Sequence, residues 1–280
     1  MGKREIKLIA LDLDGTTLTS EKIMTERTKK AIAGAVSRGV EVVIASGRSR
    51  NGVIPLINGL RGINYMIASN GASAIELATG RLIYAAYIDP DRAADILEKL
   101  LSIGVMADIY YSGGALSDLR NYKRVTEEKN GFSPWFVEYF IRNRKPVMNL
   151  PGLLRERKVP DVEKVTASFD DMQLRSRAFD LMQGESGLSI VAGSSFNMEI
   201  SQENAIKGKA LTALAAALDI DMRSVMAIGD TENDASMIEV AGLGVVMGNA
   251  EEKIRALADV VTATNDEDGA ALAIEQYALQ

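Results

Sequence analysis

The feature that most constrains this chain is a short apolar run that stops on two acids. Ile6 to Leu11 reads as a buried strand of a parallel sheet and leads straight into Asp12-Leu13-Asp14-Gly15-Thr16-Thr17. In an open α/β sheet the carboxyl ends of the strands form the ligand crevice. The nearest bases, Lys3, Arg4 and Lys7, lie at or before the start of the strand, so neither acid has a partner nearby in sequence. Two like charges ~4 Å apart at an effective dielectric of ~20 repel by about 4 kcal/mol. A lone Asp in such a place caps a turn or a helix. Asp-x-Asp-Gly-Thr at a ligand edge instead calls for a cation between the carboxylates.

The rest of the chain narrows what that cation can be. Cysteine and histidine are both absent. That removes disulfides, thiolate nucleophiles and soft metal sites, and leaves acid–base chemistry to carboxylates, Lys or Tyr. Any metal site must be built from oxygens, which suits Mg²⁺ rather than Zn²⁺. The formal net charge of −6 and a pI near 5.0 argue against nucleic acid or an anionic membrane as the main partner. No apolar run approaches the ~18 residues of a membrane span. The basic terminus, Met1 to Arg4, is followed by an apolar run broken at Asp12, which is no signal peptide. Together these readings predict a cytoplasmic protein. With 280 residues, 47% of them hydrophobic, there is material for two domains.

In chain order, Thr25 to Arg38 has helical spacing and stops at Gly39, and Val40 to Ala45 is a second buried strand ending in Ser46-Gly47-Arg48. Strand, helix, strand predicts a parallel pair with a right-handed crossover. A helix over about Asn51–Leu60, a strand over Tyr65–Ala68 and a hairpin from Ala72 to Tyr87 follow. The pattern changes at Asp89-Pro90, an N-cap and first helical position for a helix running to Ile103. Val105 to Tyr111 alternates like a half-exposed strand. A helix opens at Ser133-Pro134, and strands over Val162–Phe169 and Leu188–Ala192 flank a helix over Asp171–Met182. From Asn197 the α/β alternation of the first third returns, with Met198–Ile200, Val225–Ile228 and Leu243–Met247 as strands and helices at Lys209–Leu218, Glu251–Ala258 and Gly269–Leu279. The predicted architecture is α/β: a Rossmann-like parallel core from residues 1–85 and 194–280, with an inserted α+β cap over 86–193.

Polar residues recur where strands end or helices open: Asp12 and Asp14, Ser46-Gly47, Lys207-Gly208, and Gly229-Asp230-x-x-Asn233-Asp234. Taken singly, each has a plainer reading. Ser46-Gly47-Arg48 is an ordinary turn, Lys207 an ordinary surface cation, and Thr231-x-x-Asp234 an ordinary helix cap. Their joint order resembles the signature motifs of the haloacid dehalogenase superfamily of phosphohydrolases. The insertion between the second and third motifs resembles the α/β cap of its Cof-type branch. Thr17 departs from the leucine usual in that branch and leaves the chemical residues intact.

The resemblance implies a Rossmann-like fold and a Mg²⁺-dependent phosphatase of small phosphorylated metabolites, sugar phosphates or similar monoesters. It puts Asp12 in the nucleophile position, forming an aspartyl-phosphate, with Asp14 as general acid and then base. It implies Mg²⁺ on the Asp12 carboxylate, the Asp14 carbonyl and Asp230, with Asp234 a further ligand or an orienter. Ser46, the backbone N–H groups of Leu13, Asp14 and Gly47, Lys207 and Asn233 would hold the transferring oxygens. The cap would contact the leaving group, with Tyr110, Tyr111, Arg120 and Lys123 as candidates. A phosphomutase or phosphotransferase on the same scaffold uses the same motifs. A non-catalytic phosphometabolite-binding protein would be expected to lack Asp12, Asp14 or Lys207, all of which are present. Dinucleotide binding fails because no G-x-G-x-x-G follows the first strand.

Overall fold

The computed structural model describes residues 5–112, 114–128, 133–169, 171–194 and 196–280. The basic terminus through Arg4 lies outside them. The chain opens with β1 (Leu8–Leu11), α1 (Glu26–Ser37), β2 (Glu41–Ala45), α2 (Arg50–Ile57), β3 (Tyr65–Ala68), β4 (Ser73–Glu76) and β5 (Leu82–Ala85). It continues through α3 (Pro90–Ser102), β6 (Met106–Tyr111), β7 (Gly114–Asp118), α4 (Leu119–Lys123), α5 (Pro134–Asn143) and β8 (Lys145–Val147). Next come α6 (Leu150–Arg155), β9 (Val162–Ser168), α7 (Met172–Met182), β10 (Leu188–Ser194) and β11 (Asn197–Gln202). The last elements are α8 (Lys207–Ala217), β12 (Val225–Gly229), α9 (Ala235–Val240), β13 (Leu243–Val246), α10 (Glu252–Arg255), β14 (Val260–Val261) and α11 (Gly269–Tyr277). Two compact units result, one of Met1–Arg48, Val53–Ala85 and Asn204–Gln280, the other of Ser49–Gly52 and Ala86–Glu203.

The first unit is built on an eight-stranded sheet in the order β14-β13-β12-β1-β2-β3-β4-β5. Its strands run parallel from β14 to β3, and β4 and β5 add an antiparallel edge. All of β1 is buried because helices cover both faces, which is why its sequence is an unbroken apolar run. Side-chain alternation divides the core in two. Ile9, Leu11, Val42, Ile44, Met226 and Ile228 pack with Ile32 of α1 and Ile274 of α11. Leu8, Ala10, Val43, Ala45, Val225 and Ala227 pack with Leu211 and Leu214 of α8. Burying each such Leu or Ile contributes about 1.5–3 kcal/mol, enough to fix the strand register. Local signals set the helix ends: Thr25 caps α1 by accepting from the Thr28 N–H, and Gly39 follows it at φ +79°.

The second unit holds a six-stranded sheet, β10-β11-β9-β6-β7-β8, antiparallel except where β8 joins β7. One face, with Ala107, Ile109, Val165, Ala167, Met198 and Ile200, packs on α3, α6 and α7. Two expectations change here. Met198–Ile200, expected to reopen the core after residue 193, lies in β11 and pairs with β9 and β10, so the contact boundary falls at Glu203. The polar side of β6 is buried rather than half-exposed. Arg144 donates from Nε to Asp108 Oδ2 at 2.6 Å, and its guanidinium lies 4.6 Å from the Phe140 ring centre, closing that side. Strands β7 and β8 carry little strand signal, β8 having Pro146 in a three-residue edge strand.

Candidate active site

The strand ends of the first unit bring four side chains to one point. Asp12 follows β1, with its N–H donating to the Ile228 carbonyl at 3.0 Å, so β12 fixes its backbone. Lys207 opens α8 and is fully buried, and its Nζ lies 2.6 Å from both Asp12 Oδ1 and Asp234 Oδ1. Asp230 follows β12 and accepts from Thr16 Oγ1 at 2.8 Å. Carboxylate oxygens of Asp12, Asp230 and Asp234 lie within 4.8 Å of one another.

The electrostatics follow from burial. Desolvation pushes the Asp12 carboxyl up to about 7; Lys207 opposes this and Asp234 adds to it. Desolvation likewise raises Asp230 to about 6, against the Thr16 hydrogen bond. Burial alone would lower the Lys207 pKa, but Asp12 and Asp234 outweigh it and hold the ammonium charged well above its ordinary value. Three carboxylates and one ammonium leave two negative charges in a buried space. A hard divalent cation matches both that charge and the all-oxygen donor set.

The acids are not equivalent as ligands. Asp234 Oδ2 accepts from the N–H groups of Asp230 and Thr231, each at 3.0 Å, and its Oδ1 accepts from Lys207. Both of its oxygens accept hydrogen bonds, which tie it to Lys207 and to the Asp230 turn. Asp14 turns away from the buried cluster. Arg48 grips it through Nε to Oδ2 at 2.6 Å and Nη2 to Oδ1 at 2.8 Å, and Lys22 Nζ adds a bond at 2.9 Å. The Arg48 hydrogen bond, chiefly, holds the Asp14 carboxyl down to about 2 despite partial burial. Gly15 is required between them: its φ is +85°, and a Cβ there would lie 2.3 Å from Asp230 Oδ2.

The remaining expected residues frame this centre. Ser46 is buried at the end of β2, where its Oγ accepts from the Arg48 N–H at 3.2 Å. The carbonyl of Leu13 accepts from the Leu18 N–H at 2.8 Å, closing the turn that carries Asp14. Asn233 Nδ2 donates to Asn70 Oδ1 at 2.9 Å, and a Cβ on Gly47 would fall 2.7 Å from the same oxygen. Residues assigned no role from the sequence alone join them. Thr16 and Asn249 hold Asp230, Asn249 also donates to the Gly15 carbonyl at 2.9 Å, and Arg48 and Lys22 hold Asp14. Within the second unit, Tyr110 lies under the cations of Arg144 and Lys164, 5.6 and 5.0 Å from its ring centre, and Arg120 pairs with Asp118. Tyr111 packs against the apolar cluster and Lys123 is exposed.

This acidic, lysine-containing cluster lies at the carboxyl edge of a parallel sheet, where open α/β folds bind their ligands. A sequence profile of haloacid dehalogenase-like hydrolases matches residues 9–274, and the chain belongs to that family. Within it, the chain is 33% identical to phosphatase YwpJ of Bacillus subtilis, over 95% of this chain and 98% of the relative. It is 30% identical to the 5-amino-6-(5-phospho-D-ribitylamino)uracil phosphatase YcsE of the same organism, over 98% of this chain and 97% of the relative. The solved structure of a haloacid dehalogenase-like hydrolase from B. subtilis superposes with a TM-score of 0.78 at 31% identity, covering 96% of this chain and 99% of that one. The chain is thus a phosphatase of the phosphoric monoester hydrolase class. Among the described residues, no helix is long and apolar enough to cross a membrane.

Proposed function

We propose that the protein is a Mg²⁺-dependent phosphatase that hydrolyses small phosphorylated metabolites through a phosphorylated Asp12. The observation that carries this is the convergence of Lys207 on Asp12 and Asp234, with Asp230 beside them. Asp12, the Asp14 carbonyl and Asp230 would hold Mg²⁺, which supplies positive charge that offsets the repulsion between an anionic nucleophile and an anionic ester.

The chain's own groups do the rest. An Asp12 oxygen forms a bond to phosphorus as the bond from phosphorus to the ester oxygen breaks. Asp14 gives that oxygen its proton, releasing the alcohol. Asp14 then takes a proton from water as the water oxygen attacks the aspartyl-phosphate, freeing inorganic phosphate and restoring Asp12. In the resting structure Asp14 is an anion held by Arg48 and Lys22, so the acid step requires it to leave both cations and take up a proton from solvent before it meets the leaving oxygen. Ser46, the N–H groups of Leu13, Asp14 and Gly47, and Asn233 hold the transferring oxygens, and Lys207 adds its charge. The second unit serves as the cap that reads the leaving group, and the protein works in the cytoplasm.

The relative named for a phosphorylated ribitylaminouracil supports a small metabolite as the substrate class. A phosphate-release screen over sugar phosphates, nucleotides and cofactor phosphates, with Mg²⁺ or with EDTA, tests the proposal. Release that EDTA abolishes and Mg²⁺ restores is expected. Full activity after exhaustive chelation, or release only with an added bisphosphate activator, would overturn it.

A further inference from the structure

The turn after β3 belongs to none of the motifs above, yet it touches three of them. Ser69, Asn70 and Gly71 all have positive φ, at 48°, 60° and 98°. A run of left-handed residues is unfavourable for side chains other than Gly and Asn, and persists only where the surroundings hold it. Here the Ser69 N–H donates to the Arg48 carbonyl at 2.9 Å and the Asn70 N–H to the Ser46 carbonyl at 3.1 Å, lacing the hook onto the end of β2. The Asn70 amide lies across Gly47, so closely that a Cβ there would sit 2.7 Å from Oδ1. The same Oδ1 accepts from Asn233 Nδ2 at 2.9 Å, while Asn233 Oδ1 accepts from Thr231 Oγ1 at 2.6 Å. Gly71 seats the hook against α8, where a Cβ would meet the Ile206 carbonyl carbon at 2.3 Å and the Lys207 nitrogen at 2.7 Å.

We propose that Asn70 is the positioning residue of the phosphoryl cradle, holding Asn233 and the Ser46-Gly47 turn at the spacing one phosphoryl group needs. The proposal rests on the reading of Ser46, Gly47 and Asn233 as phosphoryl-binding groups. An amide nitrogen carries two N–H donors. One on Asn233 is taken by Asn70, which fixes the direction of the other. Without Asn70, the Asn233 amide is held only at its oxygen and Gly47 loses the group packed on it. Donors that must be re-aimed in each turnover stabilise the transition state less than donors already in place.

The test uses Asn70→Gly, which keeps the left-handed backbone and deletes only the amide. On p-nitrophenyl phosphate, kcat should fall about 10–100-fold with KM changed far less, and orthovanadate binding by calorimetry should weaken in step. Asn233→Ala should be similarly slow, and Asn70→Gly/Asn233→Ala should lose less than the product of the two single losses, because Asn70 acts in part through Asn233. Asn70→Ser, which also lacks the amide, should show the same kinetic loss whatever its melting temperature. Wild-type rates in Asn70→Gly beside a slow Asn233→Ala, multiplicative losses in the double variant, or a loss confined to whichever variant melts lower would overturn the role of Asn70. Wild-type rates in Asn233→Ala would overturn the phosphoryl-binding role of Asn233 itself, and the positioning role with it.

Discussion

Arg48 closes on Asp14 with two hydrogen bonds, Nε to Oδ2 at 2.6 Å and Nη2 to Oδ1 at 2.8 Å, although the two residues follow different strands. That pair separates the acids of Asp12-x-Asp14. Burial lifts Asp12 to about 7, whereas Arg48 holds Asp14 down to about 2. In the metal-free cluster these directions run against the tasks proposed for the two acids, so a bound cation would have to return Asp12 to its anion, and Asp14 would have to leave Arg48 and Lys22 to carry a proton.

The first prediction distinguishes those tasks. Asp12→Asn leaves an amide that cannot attack phosphorus and should be inactive on every ester. Asp14→Asn keeps the backbone carbonyl and should lose about 10²–10⁴ in rate on alkyl phosphates, whose leaving oxygen needs a proton. p-Nitrophenolate leaves without one, so Asp14→Asn should be far less impaired on p-nitrophenyl phosphate. Single-turnover rates on the two substrate types check this; equal losses for Asp14→Asn would remove the acid role.

Lys207 is the only cation bonded to the buried pair of Asp12 and Asp234 among the described residues. Lys207→Met should therefore strand both carboxylates. Removing one partner of a buried ion pair costs about 3–5 kcal/mol. Urea melts in EDTA at pH 8 should show a loss of that order, and a smaller one at pH 6, where Asp12 takes up a proton instead. An unchanged melt at pH 8 would mean that the cluster is hydrated rather than dry.

The same cluster sets a pH dependence for the metal-free protein. Asp12 and Asp230 titrate near 7 and 6 in the folded state, against 3.8 for an ordinary Asp. Between about pH 4 and 7 the folded protein thus binds more protons than the unfolded chain, and stability falls as pH rises through that window. In EDTA, the melting temperature should drop from pH 5.5 to 8, and Mg²⁺ should stabilise most at the upper end. Asp12→Asn should flatten the slope in EDTA. A melting temperature that rises with pH in wild-type protein would contradict the assignment.

Much of the core is legible in the sequence because each central strand is buried on both faces and ends on a polar residue. Leu8–Leu11 before Asp12 and Val225–Gly229 before Asp230 carry both signals at once. The cation partners are illegible for a geometric reason. Arg48 reads as part of a turn, and its pairing with Asp14 exists only because β1 and β2 lie side by side. Asn70 is hidden in the same way, since its neighbours Gly47 and Asn233 come from other strand ends. The place of β11 is encoded and easy to miss. Met198 and Ile200 point inward with Glu199 between them, the alternation of an antiparallel strand rather than the solid apolar run of a parallel core strand.

The second unit carries the last prediction. Asp108 and Arg144 are both buried, bonded at 2.6 Å, and among the described residues each keeps an unpartnered atom, Oδ1 on Asp108 and Nη1 on Arg144. A buried pair with unmet hydrogen bonds contributes little net stability, yet losing one member leaves an uncompensated charge. Arg144→Met should therefore be strongly destabilising, by about 3–5 kcal/mol. Asp108→Asn/Arg144→Met should recover part of that loss, because the remaining group is neutral. Hydrogen exchange of the β6 and β9 amides, read by mass spectrometry, localises the effect to this sheet. If the double variant were as unstable as Arg144→Met, the penalty would come from lost packing of the guanidinium on Phe140, whose ring centre lies 4.6 Å away, and not from the stranded charge.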